Sequence, residues 1–123
     1  MRPTIRSYRD LVVWQRAVDL VVEVYQLSRR FPTSERFGLT SQVRRAAISV
    51  PANIAEGHKR GSRRQYEHFV AIARGSGAEL ETEITIALRL GLIDSVQAEN
   101  TLHLCDQVGR MLTRLHERLR AGM

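Results

Sequence analysis

Residues 11–31 read LVVWQRAVDLVVEVYQLSRRF, and their folding decides the architecture. Leu11, Trp14, Val18, Val21 and Tyr25 recur at steps of 3, 4, 3 and 4, the spacing of one helix face. A second apolar stripe, Val13, Ala17, Leu20, Val24, Leu27 and Phe31, adjoins it. Polar side chains keep one narrow face: Arg16, Asp19, Glu23, Gln26 and Arg30. A helix in a monomeric bundle needs one apolar stripe. Two stripes point to a second buried face, most simply against another subunit, although a broad core stripe within a monomer accounts equally well for the pattern taken alone.

Working outward, this helix is expected over 8–31, where Pro32 closes it. Thr33 or Ser34 can cap a second helix over 34–56, with Leu39, Val43, Ala47, Val50 and Ile54 inward and Gly57 as its stop. A glycine-bounded loop over 57–61 follows. Ser62-Arg63-Arg64-Gln65 then fits a capping box opening a third helix over 62–90, whose inward set is Tyr66, Phe69, Ala73, Leu80, Ile84 and Ala87. Gly91 turns the chain, and Asp94 or Ser95 caps a fourth helix over 95–120 carrying Ala98, Leu102, Cys105, Val108, Leu112, Leu115 and Leu119. No strand pattern, repeat or linker interrupts the series. The expectation is one all-α domain over 1–123, an antiparallel up-down-up-down four-helix bundle.

The chain has 123 residues, 43% of them hydrophobic, enough for one core without a disulfide or metal staple. Its lone Cys105 cannot belong to a disulfide framework. Residues 1–11, MRPTIRSYRDL, hold no apolar run of the secretory type, and charges interrupt the most apolar segment, so no membrane span and a cytoplasmic location are expected. Net charge is +6, the isoelectric point is near 10.6, and Lys59 is the single lysine among 19 basic residues. Arginine forks match phosphate, so a polyanionic partner fits, although a GC-rich genome also favours arginine.

Pro51 falls inside a helical pattern, where it removes a backbone hydrogen bond and crowds the Ala47 carbonyl. Small residues surround it, and a second small patch, Gly75-Ser76-Gly77-Ala78, lies midway along the third helix. The pair is expected to form a tight helix crossing rather than a ligand slot. Asn53, Glu56, Ser76 and Glu79 are expected to form a structural polar network fixing helix register. Glu79 and Glu83 share a face at the unfavourable i, i+4 like-charge spacing, for which Arg44, Arg45 or Arg60 would compensate.

Catalytic and metal signatures are absent from the sequence. No glutamate is followed three residues later by histidine, as di-iron bundles require. His58, His68, His103 and His116 lack ligand spacing, Cys105 lacks a thiol partner, and neither a phosphate loop nor a nucleophile elbow occurs. No catalytic residue, metal or cofactor is therefore assigned, and an enzyme is not expected.

Residues 58–64, HKRGSRR, hold the densest positive charge, on a loop and the first turn of a helix. A helix N-terminus adds partial positive charge and free amides, which suits phosphate. Lys59, Arg60, Arg63 and Arg64 are the expected nucleic-acid-binding residues, with Arg44 and Arg45 extending the patch. No aromatic interleaves 58–64, so base stacking is not indicated there. A solvated turn remains the alternative.

The stretch SVPANIAEG at 49–57, with R-x-S after it and F-x-x-I-A-x-G-S-x-x-E-L-E at 69–81, resembles a bacterial family of four-helix-bundle proteins encoded in intervening sequences of large-subunit ribosomal RNA genes. The similarity runs from Asp10-Leu11-x-x-Trp14 to Leu92-Ile93. Its characteristic positions fall on Trp14, Pro51, Asn53, Glu56, Gly57, Arg60, Phe69, Gly75, Ser76, Glu79 and Glu81, none with a catalytic role in the family pattern. The resemblance implies a ring-like homo-oligomer, a homopentamer, and a link to RNA. The resulting expectation is a non-enzymatic oligomer binding RNA or other nucleic acid through arginine-rich faces. The alternative is a protein-interaction scaffold whose ring presents a face to a protein partner.

Overall fold

A computed structural model describes residues 4–122. Four helices dominate it: α1 (Val12–Ser28), α2 (Leu39–Lys59), α3 (Arg63–Arg89) and α4 (Ser95–Arg120). Among the described residues there is no strand. Each helix packs on its neighbours in sequence, α1 also packs on α4, and the diagonal pairs do not meet. The contacts set the directions. Arg44 early in α2 reaches Ser28 at the end of α1, Gly57 late in α2 abuts Tyr66 and Phe69 early in α3, and Arg63 at the start of α3 reaches Leu119 at the end of α4. Neighbouring helices therefore run antiparallel, up-down-up-down.

The two stripes on α1 differ in burial. Val13, Ala17, Leu20, Val24, Leu27 and Phe31 are buried, facing Val43, Val50, Ile54, Val70, Leu80, Ile84, Val108 and Leu112 from the other helices. The seam Leu11, Trp14, Val18, Val21 and Tyr25 is only half covered, and Val12 and Val22 stand exposed beside it.

Helix bounds differ from expectation for local reasons. Tyr8–Asp10 is a 3-10 turn capped by Ser7 and Asp10, which lays Tyr8 edge-on against Trp14 at 5.3 Å before α1 begins. At its other end α1 stops at Ser28, short of Phe31. Neither Thr33 nor Ser34 caps α2. Thr33–Glu35 forms another 3-10 turn, and the Glu35 Oε1 accepts from the Leu39 amide at 3.2 Å, so α2 starts at Leu39. Its stop is also later. The helix passes through Pro51 and Gly57 to Lys59, and Gly61, at φ 81°, makes the turn.

Gly57 answers a packing demand. A Cβ there would lie 2.8 Å from Phe69 Cβ and 3.4 Å from Tyr66 Cα, so the glycine is what lets α2 and α3 approach. The expected meeting of the two small patches is made through Ser49 and Ser76, 2.8 Å apart, and not through the glycines, since a Cβ at Gly75 or Gly77 would meet nothing within 4 Å. Those glycines border a groove of about 810 Å³ between α3 and α4, together with Gly109, above Leu20, Cys105, Val108 and Leu112. Ser62 caps α3 by accepting from the Gln65 amide at 3.1 Å, but the reciprocal Gln65 arm is missing; among the four α-helices the full capping box is at Asp94 and Gln97 on α4. No helix among the described residues is long and apolar enough to cross a membrane.

Candidate nucleic-acid interface

The α2–α3 connection places Lys59, Arg60, Arg63 and Arg64 at one end of the bundle, but two of them serve the fold. Arg60 donates from Nη2 and Nε to Glu56 Oε1 at 2.6 and 3.1 Å, with its guanidinium 5.2 Å from the Phe69 ring centre. Arg63 Nη1 donates to the Leu119 carbonyl at 2.9 Å, satisfying a terminal acceptor of α4. Lys59 and Arg64 are exposed and form no ion pair among the described residues. Nearby, Glu67 lies 3.8 Å from Arg120 and 4.0 Å from His116. This end therefore mixes signs, and Lys59 and Arg64 are among its cations that pair with no carboxylate among the described residues.

Arg44 and Arg45 do not extend that patch. They lie fourteen or more residues before Lys59 on the same helix, about 21 Å away along its axis. There they belong to a separate cleft of about 540 Å³ with Tyr25, Arg36, Phe37 and Ile48. Arg44 lies 4.5 Å from the Tyr25 ring centre and donates from Nε to Ser28 Oγ at 2.9 Å, which fixes its direction. Arg36 sits 4.8 Å from the centre of the Phe37 ring. Sequence reasoning missed Arg36 and Phe37. The visible signal was R-F-G at 36–38, an aromatic beside an arginine just ahead of a helix.

The expected polar network separates into three parts. Asn53 Nδ2 donates to Ser49 O and Ser49 Oγ at 2.8 and 2.9 Å, and Ser49 Oγ meets Ser76 Oγ at 2.8 Å, which joins α2 to α3. Glu56 is engaged by Arg60 on its own helix. Glu79 neighbours Glu83, and no arginine pairs with either among the described residues. Glu83 is buried and its Oε1 has no hydrogen-bond partner. Burial, then the adjacent Glu79 carboxyl, push its pKa up to about 7, and no charge from Arg44, Arg45 or Arg60 offsets that push. The buried Cys105 thiol is pushed up to about 12 by burial and by Glu81, which makes it a poor nucleophile. Among the described residues no group of three or more His, Cys, Asp or Glu side chains could hold a metal ion.

These features define an antiparallel four-helix bundle with arginine clusters at the two ends of α2. The sequence profile of the 23S rRNA-intervening sequence protein family matches residues 9–114, and the chain belongs to that family. No curated protein matches it.

Proposed function

We propose that the chain is a non-enzymatic homo-oligomer that binds RNA or other nucleic acid through arginine-rich surfaces. The observation that carries this reading is the excess of unpaired cations. Lys59 and Arg64 at one end, and Arg36 and Arg45 at the other, form no ion pair among the described residues. Surface arginine that no carboxylate neutralises is suited to phosphate. Membership of a family named for the 23S rRNA intervening sequence supports the choice of nucleic acid. Arg60 and Arg63 hold the loop that displays Lys59 and Arg64.

A ring supplies avidity, since several weak patches act together when they share a rim. Each subunit of a cyclic assembly presents two different surfaces. The half-covered seam of α1, with Val12 and Val22, is one candidate; the apolar-floored α3–α4 groove is the other. Five subunits is the number that the resemblance implies. A filter-binding titration of an RNA at two salt concentrations tests the binding reading: tight binding at low salt that weakens steeply with added salt is expected. Absence of binding at low salt, with a protein partner recovered after nuclease treatment, would favour a scaffold instead.

A further inference from the structure

The cleft at the head of α2 holds something a phosphate patch does not need. Phe37 is 87% exposed, on the turn just ahead of α2. An aromatic ring left in water forgoes the stabilisation that burial would give it. Its neighbours in the cleft are Arg36, Arg44, Arg45, Tyr25 and Ile48, with the hydroxyl residues Thr40 and Ser41, and none is acidic. None of the three arginines pairs with a carboxylate among the described residues. Glu35, the adjacent acid, accepts the Leu39 amide at 3.2 Å.

We propose that this cleft docks an unpaired base of a single-stranded nucleic acid. The base stacks on Phe37, while Arg36, Arg44 and Arg45 neutralise the flanking phosphates. The assignment rests on the nucleic-acid reading above and adds the form of the strand. A duplex keeps its bases stacked inside, out of reach of a protruding ring; a single strand offers both a base face and phosphates. Charge argues for this occupant over the others. A second copy presenting the same surface would set arginine against arginine, the ring contacts proposed above use the α1 seam and the α3–α4 groove instead, and an apolar protein segment would cover Phe37 and Ile48 but leave three guanidinium groups uncompensated. The N-terminus of α2 adds partial positive charge at the same place. Every base has a π face, so stacking here discriminates little between sequences.

The test compares three probes on the full chain: a single strand of about twelve nucleotides, a length suited to one such site, its abasic counterpart, and a duplex of equal length. The intact protein is expected to prefer the base-containing single strand. Phe37→Ala should weaken that binding about fivefold or more while leaving the abasic probe unaffected, as loss of one stacked base requires. Phe37→Trp should retain affinity, and its added fluorescence should be quenched by the single strand. Because the ring is exposed, both variants should fold. Unchanged single-strand binding by Phe37→Ala, equal loss on the abasic probe, or no quenching would overturn base docking while leaving the broader reading intact. A change in sedimentation on Phe37→Ala would identify the patch as a contact between copies and overturn it also. Failure of the unmodified chain to bind any probe at low salt would remove both readings.

Discussion

At Gly57 an added methyl group would land 2.8 Å from Phe69 Cβ, against a helix that cannot retreat without losing its packing. Gly57→Ala should therefore destabilise by about 1–3 kcal/mol despite the better helix propensity of alanine. Gly75→Ala and Gly77→Ala point into open space and should each stabilise by up to about 1 kcal/mol; urea denaturation of the three variants checks both signs. Glu83 supplies a pH effect. Its carboxyl titrates at 4.5 when unperturbed and at about 7 in the fold, so between those values the folded state holds the extra proton. The stability this group contributes is full below 4.5 and lost as pH rises through about 7, by up to about 3 kcal/mol. Glu83→Gln should remove that part of the pH dependence and be more stable than the parent at pH 8, read from denaturation midpoints at pH 5 and pH 8. If the difference between the two proteins does not change with pH, Glu83 is not held protonated.

At the scale of the helices, the apolar periodicity of all four was legible in the sequence because burial repeats every turn and leaves a local record. Their ends were less so. Glycine marks both a helix stop and a close approach, and only Tyr66 and Phe69, on another helix, decide that Gly57 is the second. Thr33 and Ser34 were plausible caps, but a carboxylate from the preceding 3-10 turn does that work. The site was legible as composition and not as geometry. The clustering of 58–64 was visible, yet the engagement of Arg60 with Glu56 and of Arg63 with Leu119 depends on the folded turn, and the distance between Arg44 and Lys59 depends on α2 staying helical through Gly57. Under the proposed function, these contacts separate structural arginine from arginine free to bind phosphate. Arg63→Ala should cost about 1 kcal/mol by removing the charged donor to the Leu119 carbonyl, which keeps only the Gly122 amide at 3.2 Å. The double variant Lys59→Ala, Arg64→Ala should change stability by less than about 0.5 kcal/mol while weakening nucleic-acid binding. Thermal melts beside a binding titration distinguish the two; equal stability losses would contradict the division.

For the whole molecule, the proposed function joins charge to assembly. Cations at both ends of a 21-residue helix would give one subunit two weak phosphate contacts, and a ring would repeat them around its rims. If the α3–α4 groove seats a neighbouring copy, Gly109→Leu should fill it and shift the protein to smaller species in sedimentation, with helical content retained. An unchanged sedimentation coefficient would take that groove out of the interface. The claim on which the account turns is phosphate binding by unpaired arginine and lysine, and an RNA-binding titration across a salt series tests it most directly. The account predicts measurable binding at low salt, with the logarithm of the association constant falling linearly against the logarithm of salt concentration, and a shallower slope for Lys59→Ala, Arg64→Ala. Absence of binding at low salt, or an affinity indifferent to salt, would contradict it.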